Sequence, residues 1–150
     1  MIFVRYLLPA NGEVVDVGVK SGEIGHVRTL WIGDRSRLVS AYSKFGCINH
    51  ARKVFDTVPL DCISNILLWN SILRAHNKNE EFQRTLRLYD SMRGFRVFRD
   101  RFSFPLVIRA CAALAVDSIC RNVHCHVVHL GFQNHLHVCN ELLNMYGMLA

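Results

Sequence analysis

Three aligned stretches decide the fold: LLWNSILRAH at 67–76, FSFPLVIRAC at 102–111 and HVCNELLNMY at 137–146. They repeat every 35 residues without gaps, so that Asn70, Pro105 and Asn140 occupy one column of the alignment. A fourth copy, SRLVSAYSKFG from Ser36, precedes them at a spacing of 34 residues. Chance similarity does not stay in phase over four copies, and a period of this length indicates a repeat protein.

Each unit contains two apolar runs with helical spacing. In the first unit the second run is Ile48, Ala51, Val54, Phe55 and Val58. It follows a break at Gly46, and the next unit has a matching run after Asn79. Two helical runs with a break between them predict one helix-turn-helix hairpin per unit. We therefore predict an all-α fold, an α-solenoid of stacked hairpins, against the alternative of an ordinary helical bundle with accidental internal similarity.

The repeat phase also sets the expected organisation of the chain. Repeats are predicted at residues 32–65, 66–100 and 101–135, followed by a partial repeat at 136–150. Residues 1–31 do not align with them. This segment is rich in glycine and is predicted to be irregular, although VVDVGV within it alternates weakly like a strand.

Composition excludes disorder and leaves the partner open. Hydrophobic residues make up 51% of the 150-residue chain and charged residues 20%, so folding buries enough apolar surface to offset the entropy of ordering. The formal net charge of +6 suits a polyanion such as nucleic acid, although ordinary basic surfaces share it. The six cysteines follow no disulfide framework, and we expect reduced thiols.

Neither a membrane span nor a targeting segment is predicted. A long uncharged run lies between Arg121 and Glu141, but it contains five histidines, which are costly in a bilayer. The first residues include Glu13 and Asp16, whereas transit peptides are rich in arginine and poor in acidic residues.

Several stretches resemble the pentatricopeptide repeat family: LVSAYSKFGCINHARKVFDTVP from Leu38, WNSILRAH from Trp69, FSFPLVIRAC from Phe102 and NVHCHVVHLGF from Asn122. The resemblance covers about residues 32–150, and the order of the units is similar to the plant subclass in which short, standard and long repeats alternate. Two positions depart from the family pattern. The linker between Pro59 and Asn70 is lengthened, and Arg96 stands where a glycine normally ends the second helix.

The resemblance implies recognition of single-stranded RNA, one nucleotide per repeat, by an early side chain of the first helix and the last residue of the unit. It also implies a role in organellar RNA processing or editing, in a mitochondrion or a chloroplast, with the mitochondrion favoured. Protein partners from an RNA-editing complex are expected in addition to RNA, and no membrane partner is expected.

Mapped onto this chain, the resemblance implies that Asn70 and Asp100 form a base-reading pair, a combination that favours uracil in this family. Ser36 with Asn65 forms an adenine-leaning pair, and Asn140 reads a base without a partner because the chain stops first. An amide offers a donor and an acceptor to a base edge, and a carboxylate holds its orientation or a bridging water. The alternative is helix capping, which asparagine and aspartate commonly provide.

Eight arginines carry much of the positive charge: Arg74, Arg84, Arg87, Arg93, Arg96, Arg99, Arg101 and Arg109. In the RNA interpretation they contact phosphates, which sets affinity and salt dependence but not base choice. The alternative interpretation is a solvated helix face.

Histidine and cysteine cluster between His124 and Cys139, and both are zinc ligands. Their spacing contains no CxxC pair and no CxxC with a following HxxxH, so neither a metal nor another cofactor is predicted. The HxE and CxxC motifs of zinc-dependent deaminases are missing from the sequence, as are GxGxxG, Walker and GxSxG motifs. We predict that the chain is not an enzyme.

Two other functions stay open. A protein-binding solenoid similar to tetratricopeptide arrays uses the same hairpin, but its period is 34 and it has its own Trp, Leu-Gly and Tyr pattern. A non-functional truncated fragment is the third interpretation, because the last unit contains one of its two helices. A structure that places Asn70, Pro105 and Asn140 along one edge favours RNA over the tetratricopeptide alternative.

Overall fold

The computed structural model describes residues 2–7, 14–19, 32–58 and 63–150, with side chains from residue 35 onward in the last two ranges. The chain divides into two compact units, Met1–Trp31 and Ile32–Ala150.

The first unit contains a β-hairpin. Strand β1 spans Ile2–Leu7 and strand β2 spans Val14–Val19. They pair antiparallel, with Ile2 opposite Val19 and Leu7 opposite Val14. Irregular structure was predicted for residues 1–31, so the hairpin is a difference from that prediction. Its physical cause is the β-branched valine content of VVDVGV, which suits a pleated strand once an apolar partner strand lies beside it.

The described residues of the second unit form seven helices: α1 Ile32–Lys44, α2 Ile48–Asp56, α3 Ile66–Lys78, α4 Phe82–Gly94, α5 Ser103–Leu114, α6 Asp117–His129 and α7 Leu136–Leu149. Each predicted repeat contains two of them, and the partial repeat contains one. The prediction of an all-α solenoid is confirmed for this unit. The lengthened linker predicted between Pro59 and Asn70 includes residues 59–62, which lie outside the described residues.

The helices form two layers. The first helices α1, α3, α5 and α7 pack against one another in sequence, and we call them the first-helix layer. The second helices α2, α4 and α6 each pack against the first helix of their own repeat and that of the next repeat. Among the described helices, the backbones of no two second helices pack together, and α4 and α6 meet only through the side chains of Tyr89, Arg93 and His126. Each hairpin therefore buries its apolar face against the neighbouring hairpin, as a solenoid requires.

One aromatic contact recurs with the repeat. Trp69 on α3 packs edge-on against Phe55 on α2, with ring centroids 4.9 Å apart. One repeat later, Phe104 on α5 packs edge-on against Tyr89 on α4, at 6.3 Å. Both first-helix rings are fully buried. The recurring contact anchors α3 and α5 to the second helix of the preceding repeat.

Left-handed residues end the helices. Gly46 has a φ of +72° after α1, and Gly131 has a φ of +79° after α6. Arg96 occupies the equivalent place after α4 with a φ of +53°, and the Val97 N–H donates to the Met92 carbonyl at 2.9 Å. The departure from glycine noted in the sequence therefore leaves the turn unchanged, at the steric cost of a side chain in the left-handed region.

Candidate nucleic-acid interface

The predicted pair Asn70 and Asp100 is in direct contact. The Asn70 Nδ2 donates to the two carboxylate oxygens of Asp100 at 3.2 and 3.4 Å. Asn70 lies one turn into α3 with 6% of its surface exposed, and Asp100 lies half-buried just before α5. The contact joins two residues 30 positions apart, so it depends on the stacking of two neighbouring first helices.

Asp100 also caps α5. Its Oδ1 accepts hydrogen bonds from the backbone N–H groups of Phe102 at 3.0 Å and Ser103 at 2.8 Å. The capping alternative is therefore realised, but it does not compete with the pairing, because a carboxylate has acceptor sites for both. Capping fixes the Asp100 carboxylate at the position where it receives the Asn70 amide.

Ser103 completes the arrangement and was not singled out in the sequence. Its Oγ donates to the Asn70 Oδ1 at 2.7 Å and lies 2.9 Å from the Asp100 Oδ1. The side chain is fully buried. The amide of Asn70 thus has an acceptor facing its nitrogen and a donor facing its oxygen, and this fixes which end of the amide points where. The signal available in the sequence is the Asp-x-x-Ser spacing at the start of α5, which is typical of helix caps.

The other predicted residues lie apart from this contact. Asn65 caps α3, since its Oδ1 accepts from the Leu67 N–H at 3.0 Å. Ser36 is buried on α1, and Asn140 is exposed on α7. The Ser36 and Asn65 pairing stays a prediction.

The residues of the Asn70 column occupy one equivalent position on each helix of the first-helix layer. Ser36, Asn70, Pro105 and Asn140 lie on α1, α3, α5 and α7, the four helices that pack in sequence. Equivalent positions on helices stacked in this way line up, so the column is continuous from one repeat to the next.

Exposed apolar side chains precede this column by one helical turn. Leu67 is 62% exposed and Phe102 is 50% exposed, and both are large. They are equivalent residues, 35 positions apart, at the starts of α3 and α5. The guanidinium of Arg101 lies over the Phe102 ring, 4.9 Å from its centroid. These residues were missed in the sequence because an apolar residue near a helix start resembles core until its exposure is known.

Comparison with known proteins identifies the repeat. The family model described as PPR repeat matches residues 36–59 and 67–97. A putative pentatricopeptide repeat-containing protein of Arabidopsis thaliana is 40% identical over 111 residues, which cover 74% of this chain and 15% of that protein. The chain belongs to the pentatricopeptide repeat family.

Two further Arabidopsis thaliana relatives carry an organelle in their names. A putative pentatricopeptide repeat-containing protein named as mitochondrial is 32% identical over 109 residues, 73% of this chain and 18% of that protein. One named as chloroplastic is 33% identical over 109 residues, 73% of this chain and 12% of that protein. The chain thus spans between 12% and 18% of the length of these three relatives.

The arginines of the pentatricopeptide repeats separate by layer. Arg74 and Arg109 are exposed at equivalent positions of α3 and α5, and Arg109 pairs with the buried Glu141 at 2.9 Å. Arg84, Arg87 and Arg93 lie instead on α4, in the other layer. For these three arginines, a solvated helix face is a better interpretation than contact with phosphates at the Asn70 column.

The buried His76 and Arg52 share the Glu81 carboxylate, which joins α2 to the next repeat. The His76 Nδ1 lies 2.7 Å from the Glu81 Oε2, which also receives the Arg52 guanidinium at 2.9 Å. Burial lowers the pKa of His76, and this outweighs the opposing effect of its hydrogen bond to Glu81. Burial raises the pKa of Glu81, but the hydrogen bond from His76 and the charge of Arg52 bring it below its usual value.

Two histidines of the cluster, His124 and His126, form pairwise contacts. His126 Nδ1 lies 3.0 Å from the Tyr89 hydroxyl, and its Nε2 lies 3.0 Å from the Arg93 guanidinium. His124 Nδ1 lies 2.7 Å from the Tyr146 hydroxyl. Within the described ranges, no group of three His, Cys, Asp or Glu residues is placed to hold a metal ion. None of the described helices is both long and apolar enough to cross a membrane.

Proposed function

We propose that this chain binds single-stranded RNA along the Asn70 column of the first-helix layer, and that the repeat at 66–100 reads one base with a preference for uracil. The observation that carries the proposal is the locked amide of Asn70, held by Asp100 at 3.2 Å and by Ser103 at 2.7 Å. Membership of the pentatricopeptide repeat family supports it. Asn70, Pro105 and Asn140 lie at equivalent positions of α3, α5 and α7, which supports the RNA proposal over a tetratricopeptide-like scaffold.

The chemistry of the amide explains the base preference. Asp100 and Ser103 each engage one end of the Asn70 amide, which leaves one N–H and one oxygen lone pair unused. The Watson–Crick edge of uracil offers a carbonyl acceptor beside an N–H donor, which complements that arrangement. Because the amide cannot exchange its two ends without losing both contacts, it discriminates between bases that present donor and acceptor in opposite order.

The neighbouring side chains suit the faces of a base. Leu67 and Phe102 are exposed on equivalent turns of α3 and α5, so a base whose edge meets Asn70 has an apolar side chain available on each face. Stacking of this kind tolerates every base, so it contributes affinity and leaves the choice to the amide. Arg74 and Arg101 supply positive charge for the phosphates.

The cellular role is proposed from the relatives. Their names place one in the mitochondrion and another in the chloroplast, and we propose an organellar role in RNA processing, including editing, for the protein to which these repeats belong. The repeats supply recognition, and protein partners of an editing complex supply the chemistry. The proposal also places the chain in the plant subclass in which repeats of different lengths alternate.

Fluorescence anisotropy on labelled single-stranded RNAs that differ at one base tests the proposal. At low salt the natural chain prefers uracil at one position, and Asn70→Ala lowers that preference by about 5- to 10-fold, the value of one hydrogen bond of about 1 kcal/mol. Asn122→Ala is the matched control, because Asn122 is exposed on α6 in the other layer. Equal binding of all RNAs by the natural chain, or equal effects of the two substitutions, would refute base reading by Asn70.

A further inference from the structure

A segment of alternating phenylalanine and arginine connects α4 to α5. Residues 95–102 read FRVFRDRF, and we call them the Phe–Arg segment. Phe98 is 89% exposed, the largest exposed fraction among the large hydrophobic side chains that the structure describes. A single exposed apolar residue is common on proteins. The argument therefore depends on what surrounds Phe98.

The backbone around Phe98 is held on both sides. Val97 is 3% exposed, and its N–H donates to the Met92 carbonyl at 2.9 Å. The guanidinium of Arg99 lies over the buried Tyr89 ring, 5.2 Å from its centroid. Phe98 lies between the buried Val97 and the docked Arg99, and its own side chain is exposed to solvent. The ring is presented from an anchored backbone, which keeps the entropy cost of stacking on it small.

The segment is also continuous with the base-reading pair. Asp100 is two residues after Phe98, and the half-exposed Phe102 is two residues after Asp100. The only carboxylate in the segment is therefore the one that already caps α5 and holds Asn70. The remaining charges are the guanidinium groups of Arg96, Arg99 and Arg101.

Exposed rings beside guanidinium groups that form no ion pair within the described residues fit one class of partner. A polyanion whose units carry flat aromatic faces, which is single-stranded RNA, satisfies both the rings and the charges. An apolar protein surface would cover Phe98 but would desolvate the neighbouring guanidinium groups without pairing them.

We propose that Phe98 is a further RNA-binding residue, which stacks on the nucleotide adjacent to the one that Asn70 and Asp100 read, whatever its base. Arg96 and Arg101 contact the phosphates on either side of that nucleotide. The inference rests on the proposed function of the column, but it concerns a residue that lies outside the column and makes no choice between bases.

Two variants of the full chain test it on oligouridylate. In Phe98→Trp the added indole reports stacking directly, so its fluorescence is quenched on RNA addition, beyond the signal change of the natural chain. Phe98→Ala binds about 5- to 100-fold more weakly, which is the range for loss of one base–aromatic stack. Phe45 is the matched control, because it is 48% exposed in the turn after α1, and its substitutions by Trp and Ala give no quenching and no loss.

An abasic nucleotide identifies the partner of Phe98. The abasic site is placed first on one side and then on the other side of the uracil that Asn70 reads. The natural chain loses affinity for RNA with the abasic site on one of these sides, whereas Phe98→Ala loses no additional affinity for that RNA. If the natural chain binds no RNA, the proposed function fails and this inference with it. If the natural chain binds but Phe98→Trp is not quenched and Phe98→Ala binds equally well, Phe98 is not an RNA contact and the function of the column stands. If Phe98→Ala weakens binding only when the neighbouring nucleotide carries one particular base, base-independent stacking is overturned.

Discussion

Replacing Ser103 by alanine isolates the hydroxyl that locks the Asn70 amide. The Oγ donates to the Asn70 Oδ1 at 2.7 Å and accepts from the Asp100 backbone N–H at 3.3 Å. Ser103 is fully buried and Asn70 nearly so, so water does not easily replace the lost partner. Leaving a buried polar group without its partner costs about 1–3 kcal/mol. We therefore expect Ser103→Ala to lower the free energy of unfolding by that amount.

Urea unfolding followed by circular dichroism measures the effect. With a denaturant dependence of about 2 kcal/mol per molar, the midpoint falls by roughly 0.5–1.5 M. Ser71→Ala is the control, since the Ser71 Oγ donates to the Leu67 carbonyl of its own helix at 2.8 Å and is half-exposed. Such a bond within a helix contributes little, and we expect a change within about 0.5 kcal/mol. Equal midpoints for the two variants would show that Ser103 does not lock the amide.

Three further predictions concern stability and reactivity. Arg96→Gly relieves a left-handed side chain at φ +53° and raises the free energy of unfolding by about 0.5–1 kcal/mol in thermal or urea unfolding, whereas Arg93→Gly inside α4 lowers it. Because burial keeps the pKa of His76 below its unfolded value of about 6.5, the unfolded chain binds more protons below that pH. The free energy of unfolding therefore falls as pH drops from about 7.5 to about 5.5, and it falls less steeply in His76→Gln. Equal pH slopes of the free energy of unfolding for the natural chain and His76→Gln contradict this prediction. Burial raises the pKa of the Cys111 thiol to about 12, so iodoacetamide at about pH 8 labels the exposed Cys125 first, and labelling of Cys111 waits for denaturant; equal rates in the native chain would refute the burial argument.

The repeat period alone predicted most of the fold. Two apolar runs per unit define a hairpin, and a constant spacing means that each hairpin meets its neighbour in the same way. The structure shows this repetition directly, because the contact of Trp69 with Phe55 recurs one repeat later as the contact of Phe104 with Tyr89. The same phase brought Asn70 and Asp100 together, because residues at the start and end of a unit meet when units stack.

Features that break the period were not predictable from it. Ser103 has no serine in the equivalent column, where Leu68 and Val138 stand, so its lock on Asn70 belongs to one repeat only. The contact of Arg93 with His126 joins α4 to α6, and charge along the sequence does not reveal it. The hairpin of β1 and β2 lies outside the repeats altogether, where only local alternation was available.

In the proposed function, Asp100 links the stability of the array to the choice of base. The carboxylate that starts α5 by capping its first N–H groups is the same carboxylate that fixes the amide of α3. A substitution chosen to change the base also changes how the next first helix begins, and that helix carries Phe104, which anchors the repeat interface. Asparagine keeps an acceptor for the cap, whereas alanine does not, so the two substitutions separate the roles. At the end of the 66–100 repeat, Asp100 meets both requirements because a short carboxylate caps α5 and also accepts from the Asn70 amide.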